Sequence, residues 1–233
     1  MVAVSGKTVV VTGGRRGLGA ALVDEVLARG AGKVYATARS AYTDGRAQVI
    51  TRELEVSSTD SVAALAEVAT DAEIIFNNAG VAFLETLLTG SFEHVEETFN
   101  VNVFGPLRMA RTFAPILAAN GGGAIVNMHS FLSWLGGAGA YGASKAAMWS
   151  LSNSLRAELK PQNTQVVGVH AGFIDTDMVA GLPLPKLTPA EVAKRIVDGL
   201  EAGAAEVLVD ELTVNTKAAL SGPVENLTFT LAA

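Results

Sequence analysis

The chain has 233 residues, 49% of them hydrophobic and 17% charged, with a formal net charge of −6. That balance supports a large core and excludes a disordered polyelectrolyte, and the acidic charge argues against nucleic acid or an anionic membrane surface as the main partner. There is no cysteine, which rules out disulfides, thiolate metal sites and cysteine nucleophiles; His94, His129 and His170 lie far apart without metal-ligand spacing, so no metal is expected.

Strand-like and helix-like segments alternate along the chain. Lys7–Val11 is a short β-branched run stopped by Gly13 and Gly14, and it lacks the long apolar core of a signal peptide. Gly17–Arg29 reads as a helix closed by Gly30. Lys33–Thr37 and Ala47–Ile50, continuing towards Leu54, are strand-like, and Ser58–Ala69 is a helix capped by Ser57 or Ser58. Glu73–Phe76 reads as a buried strand ending in NNAG. Ser91–Ala119 is a long helical region in which Pro106 and Pro115 predict a bend or break. Gly123–Met128 is a strand, Ala140–Leu159 a helix stopped at Pro161, and Gln165–His170 a strand. Thr188, Pro189 and Glu191 form a capping box that opens a helix to about Ala202, and Glu206–Val209 is the last strand.

Seven strands that read as continuous apolar runs, separated by helices, predict a parallel sheet covered on both faces. No linker, repeat or low-complexity tract divides the chain, so residues 1–233 are expected to form a single doubly wound α/β domain, a Rossmann-type three-layer sandwich with a seven-stranded parallel sheet. No apolar stretch is long enough to span a membrane, and a cytoplasmic location is expected.

The loop after the first strand, TGGRRGLG at Thr12–Gly19, stands where a phosphate-binding turn would stand. Its spacing is G-x-x-x-G-x-G (Gly13, Gly17, Gly19), with Leu18 opening the helix. The second strand ends in TAR, with Ala38 where a ribose-binding acid would sit and Arg39 next to it. Arg15 and Arg16 in the glycine loop are expected to converge there on a 2′-phosphate through forked, charge-assisted bonds. Together these features favour NADP(H) over NAD(H).

Tyr141 and Lys145 stand four apart on a helix-like run, hence on one face. An ammonium beside a phenol stabilises the phenolate, so Lys145 is expected to lower the pKa of Tyr141 and make it an acid/base near neutral pH.

These segments together resemble the short-chain dehydrogenases/reductases. The resemblance runs from about Lys7 to about Val209 and rests on TGGRRGLG, NNAG at Asn77–Gly80, Asn102 in NVNVFG, Ser130 after AIVNM, YGASK at Tyr141–Lys145 and AGFIDT at Ala171–Thr176. It implies an NADP(H)-dependent oxidoreductase, a carbonyl reductase or alcohol dehydrogenase, that interconverts an alcohol and a ketone or aldehyde. It also implies that Ser130 holds the substrate oxygen, Tyr141 moves the proton, Lys145 tunes the tyrosine and binds the nicotinamide ribose, and Asn102 holds a water linking Lys145 to solvent. Asn78, Ala79 and Gly80 would line the adenine–ribose wall, Glu55 and Val56 the adenine, and Gly172, Ile174 and Thr176 the nicotinamide end. A halohydrin dehalogenase-like lyase or a non-catalytic NADP(H) sensor on the same fold are the alternatives; the intact glycine loop, Tyr141 and Lys145 count against both.

Several positions depart from the family pattern. Ala171 replaces a proline, Glu55 an aspartate, and His129 a small residue before Ser130, where it is expected as a wall residue or one acting behind the site. Ser130 precedes Tyr141 by only eleven positions, and Ser133 is the competing serine. The short segment Thr176–Thr188 is expected to lie over the substrate as a lid. Phe83, Phe131, Leu132, Trp134 and Met178 are candidate apolar walls, and the tail Leu220–Ala233 is a candidate interface element. The resemblance implies a homodimer or homotetramer, with Val103, Phe104, Met109, Met148, Trp149 and Leu155 as interface candidates.

Overall fold

The computed structural model describes residues 1–83 and 85–229. Its strands are β1 (Thr8–Val11), β2 (Lys33–Ala38), β3 (Val49–Glu53), β4 (Ile74–Asn77), β5 (Gly123–Met128), β6 (Thr164–His170) and β7 (Glu206–Leu208). They form one sheet in the order β3-β2-β1-β4-β5-β6-β7, every neighbouring pair parallel. The apolar runs have no polar face because both faces are covered. Val9, Val11, Phe76 and Val126 pack with Leu22, Val26, Val192 and Ile196 on one side. Val10, Ile75, Ile125 and Val166 pack with Leu65, Met109, Phe113 and Met148 on the other.

The first side is covered by α1 (Gly17–Ala28) and α6 (Pro189–Glu201), the second by α2 (Thr59–Val68), α4 (Gly105–Ala119) and α5 (Gly139–Leu159). Arg29 fastens the first layer, reaching Glu25, Asp198 and Glu201 at 2.5 to 2.8 Å. In the second, Phe113 is fully buried; truncating such a ring to alanine costs about 3–5 kcal/mol.

The third strand begins later than its sequence suggests. Gly45 takes φ +84°, and Val49 N–H closes a turn on the Arg46 carbonyl at 3.0 Å, so Ala47 and Gln48 belong to the turn. The long helical region is not broken at Pro115, which lies inside α4. Its irregularity lies earlier. α3 (Phe92–Phe99) passes into a π-helical turn over Asn100–Phe104 and then into α4. Pro106 has no N–H to offer the carbonyl four residues back, that of Asn102, and a widened turn absorbs the fault. An additional helix, α7 (Glu211–Ala218), follows β7. Asp210 caps it, accepting from Thr213 N–H at 2.8 Å.

Strand order reverses between β1 and β4, and parallel sheets open a crevice beyond the carboxyl ends of the strands at such a point. The loops after β1, β2, β4, β5 and β6 all meet there. Among the described residues no helix is long and apolar enough to cross a membrane.

Candidate active site

The crevice is a cleft of about 1090 Å³. Gly13, Arg15, Arg16, Gly17, Leu18, Gly19, Arg39, Glu55, Val56, Asn78, Ala79, Gly80, Ser130, Tyr141, Lys145, Gly172, Ile174 and Thr176 all line it. Asn102 does not; it is buried just behind.

The glycine loop needs its glycines for two separate reasons. Gly13 adopts φ +69°, a conformation that side chains disfavour. At Gly19 the backbone conformation is ordinary but a Cβ would stand 1.9 Å from the Gly13 carbonyl oxygen. The loop is tied on both sides: Gly14 N–H donates to the Thr37 carbonyl at 2.8 Å, and Asn78 Nδ2 donates to that of Thr12 at 2.9 Å. The Thr12 hydroxyl accepts from the N–H groups of Asn78 and Ala79 at 2.9 and 3.0 Å. α1 has no side-chain N-cap, so its first N–H groups stand at the cleft wall without a side-chain acceptor.

The two loop arginines diverge. Arg15 turns to the end of β2, bonding Ser40 Oγ at 3.1 Å with its guanidinium over the Tyr42 ring, close to Arg39 in the chain. Arg16 turns the other way and pairs with Asp177 at 2.8 Å. The expected convergence of both on one phosphate therefore does not occur: an acidic residue in the opposite loop draws Arg16 away. That loop, after β6, is closed by a bridge between Ile174 and Leu187 and carries one 3-10 turn over Asp177–Val179. After β3, the Glu55 carboxylate accepts from the hydroxyl and N–H of Ser57 at 2.6 and 3.0 Å.

At the other end of the cleft, β5 stops at Met128, and a single 3-10 turn over Phe131–Ser133 leads to α5. That short path leaves Ser130 and Tyr141 lining the same cleft, with the Ser130 hydroxyl accepting from Leu132 N–H at 3.2 Å. Ser133 points away from the cleft, and its hydroxyl accepts from Ser130 N–H at 3.3 Å. Lys145, one turn beyond Tyr141, donates from Nζ to the Met128 carbonyl at 2.8 Å and lies 5.6 Å from the centre of the tyrosine ring. Burial pushes the Tyr141 phenol up to about 12, weakly opposed by the nearby Ser130 hydroxyl. Burial pushes Lys145 down to about 8. The expected lowering of the tyrosine by the lysine is thus not realised in this arrangement, because desolvation of the phenol dominates and Nζ is turned to a carbonyl.

The Asn102 side chain makes three hydrogen bonds. Its amide exchanges hydrogen bonds with both main-chain groups of Val81 at 2.9 Å and donates to Ser144 Oγ at 3.2 Å. A Cβ on Gly80 would lie 3.2 Å from Asn102 Oδ1 and 3.9 Å from Lys145 Nζ, so all three are neighbours. Both side-chain donors of Asn102 are used, and Pro106, four positions on, has no N–H to give its main-chain carbonyl.

Several candidate walls and interface residues are core instead. Phe131 and Trp134 are buried, as are Val103, Met109, Met148 and Leu155. Trp149 donates to Glu206 at 2.8 Å and only Phe104 is exposed. Phe83 stacks on His94, while Met178 does line the cleft. Within the tail, residues 221–226 are exposed, while Leu227 and Phe229 bond to Gly136 and Phe229 is set against Phe131 and Phe173. Residues 230–233 of that tail lie outside the described residues.

Sequence reasoning missed three contributors. Asp210 Oδ2 accepts from Gly172 N–H at 2.8 Å and orders the loop after β6; the capping pattern Asp210–Thr213 was its visible signal. His170 and Ser152 stand in a buried polar chain behind Ser130, with no signal in local sequence. Among the described residues no group of three or more acidic, histidine or cysteine side chains could hold a metal ion.

Residues 7–185 match the family described as short chain dehydrogenase. The chain belongs to that family. It is 35% identical over 185 residues to a short-chain dehydrogenase of Penicillium crustosum, spanning 73% of this chain and 66%, just under two thirds, of that protein. It is also 35% identical to a short-chain dehydrogenase of Burkholderia cenocepacia solved in complex with NADP, with a TM-score of 0.91 and 96% of both chains covered. A short-chain dehydrogenase/reductase of Burkholderia phymatum in complex with NAD shares the fold over 100% of both chains, with a TM-score of 0.87 at 23% identity. The family accounts for the seven-stranded doubly wound sheet and makes an oxidoreductase the coarse assignment.

Proposed function

We propose that this short-chain dehydrogenase is an NADP(H)-dependent oxidoreductase that interconverts an alcohol and a ketone or aldehyde. The observation that carries the reading is one cleft holding a glycine loop at one end and Ser130, Tyr141 and Lys145 at the other.

The residues fit a dinucleotide. Gly13 and Gly19 leave a cradle that a Cβ would fill, and the α1 N–H groups beside it suit a pyrophosphate. Glu55, Val56, Asn78, Ala79 and Gly80 would line the adenosine half, and Gly172, Ile174 and Thr176 the nicotinamide half. Ala38 leaves no carboxylate to oppose a 2′-phosphate, and Arg15 with Arg39 supplies positive charge beside it. The similar Burkholderia cenocepacia enzyme, solved in complex with NADP, supports the same choice.

When bound, the dinucleotide supplies or takes the hydride. The chain's own residues do the rest. Ser130 donates a hydrogen bond to the substrate oxygen and holds it beside Tyr141. Tyr141, kept protonated by its buried setting, gives its proton to the oxygen as negative charge develops in reduction, and takes it back in oxidation. Lys145 in its ammonium form stabilises the phenolate that this leaves and binds ribose hydroxyls. The Asn102 carbonyl positions a water towards Lys145 for reprotonation.

Tyr141→Phe is expected to abolish turnover while leaving NADPH binding intact by fluorescence titration; retained turnover refutes the assignment. NADPH is expected to bind more tightly than NADH, and equal affinities sink the cofactor choice. A panel of ketones, aldehydes and alcohols followed by NADPH absorbance would define the substrate class. The exposed rings of Phe92 and Phe104, on α3 and the π turn, favour a homodimer or homotetramer, to be read by light scattering.

A further inference from the structure

Ser130 lies beyond the last residue of β5; His129 and Phe131 on either side still donate to Val169 and Ala171, but the N–H and carbonyl of Ser130 itself pair with no strand. Its N–H goes to Ser133 Oγ, and its carbonyl takes two bonds, from Ser133 N–H at 3.0 Å within the turn and from His170 Nδ1 at 3.1 Å across the sheet. A carbonyl only accepts, and that fact sets the direction of everything behind it. His170 carries its proton on Nδ1, so as a neutral ring it accepts at Nε2. His129 therefore donates from Nδ1 across 3.1 Å. Neutral His129 then accepts at Nε2 from Ser152 Oγ at 2.9 Å. Ser152 accepts from Asn127 Nδ2 at 2.9 Å, and Asn127 Oδ1 from Asn77 Nδ2 at 2.8 Å. All five side chains are less than 5% exposed.

We propose that His129 and His170 are positioning residues: they end a one-way hydrogen-bond chain, Asn77 to Asn127 to Ser152 to His129 to His170, that fixes the Ser130 carbonyl and so the hydroxyl that faces Tyr141. The inference rests on Ser130 acting on the substrate oxygen.

The groups around the two rings agree with neutral imidazoles. From α5, Lys145 and Arg156 oppose a second proton, and so does Lys217 of α7. Glu206 of β7 lies 3.6 Å from His170 Nε2, but its carboxylate is already held by Lys217 and Trp149. Trp134 stacks on the His170 ring at 4.0 Å and keeps it in plane with its acceptor.

The first test needs no variant. Nitrogen-15 NMR of histidine-labelled protein at pH 7 is expected to show His129 and His170 neutral and protonated at Nδ1. An Nε2–H tautomer at His170 overturns the chain. The second test uses amide isosteres. His170→Asn places an N–H where Nδ1 stands and is expected to keep most of kcat. His170→Gln and His170→Leu lack that donor and are expected to lose about tenfold to a hundredfold in kcat, with NADPH affinity unchanged. Should His170→Leu fail to fold, the Asn and Gln variants decide, and equal kcat in the two overturns the proposal. Ser130→Ala separates the two readings: retained turnover there refutes the site assignment, while the Nδ1–H tautomers of the wild-type protein would still be seen.

Discussion

Lys145 is pulled in two directions, since the proposed chemistry uses its charge while its burial opposes it. The ammonium is pushed from the ordinary 10.5 down to about 8, so between those values the unfolded chain binds more protons than the folded one. Stability therefore rises as pH climbs from 8 to 10.5, and below 8 the fold carries the full cost of burying the charge. About 2.5 pKa units correspond to about 3 kcal/mol, less about 1 for the Nζ bond to Met128. Lys145→Met is expected to abolish turnover yet raise the melting temperature at pH 7, the gain shrinking between pH 8 and 10.5 and gone above it in thermal scans. Arg15 is the residue to change for cofactor choice: Arg15→Ala is expected to weaken NADPH binding about tenfold and leave NADH nearly unaffected, by fluorescence titration. At this scale the sequence was readable where chemistry is local. Tyr141 and Lys145 declare themselves by helical spacing, as Asp210 and Thr213 could have done by a cap. His129 and His170 do not, because only the pairing of β5 with β6 makes them neighbours.

Elements decide whether local signals are expressed. Gly19 is required by a contact with Gly13, six positions away, so Gly19→Ala is expected to displace the loop and lower NADPH affinity by tenfold or more without unfolding the sheet; circular dichroism with titration checks both. The π turn shows what a proline can and cannot announce. Pro106 and Pro115 both suggested a break, yet only the stretch before Pro106 widens, where Asn102 is also bound sideways to Val81 and Ser144. Pro115 sits within a helix whose apolar face is locked on the sheet by Phe113 and Leu117, and that packing outweighs one missing ladder bond. The divergence of Arg15 and Arg16 was equally out of reach, since it depends on Asp177, which only the loop after β6 brings near.

At the scale of the whole molecule, the two buried imidazoles should set the acid limit of stability. Burial pushes His170 from 6.5 down to about 4 and His129 down as well. Between pH 4 and 6.5 the unfolded state binds more protons, so stability is lost as pH falls through that window. His170 alone accounts for about 3 kcal/mol of that loss. Urea midpoints measured from pH 7 to pH 4 are expected to fall, and His170→Asn to flatten the slope. The architecture itself was plain from the sequence because alternation and two-sided burial act along the whole chain, so no single misplaced boundary could hide it.

The Thr12 hydroxyl joins the end of β1 to the chain just after β4, groups some sixty-five positions apart. A ribosome makes β1, β2 and β3 before β4 exists, at roughly 5–20 residues per second. During that interval Val9, Val10 and Val11 present an open strand edge of the kind that invites mispairing between chains. Nascent chains halted between β3 and β4 should therefore be the aggregation-prone ones, and release should coincide with the arrival of Ile74–Asn77.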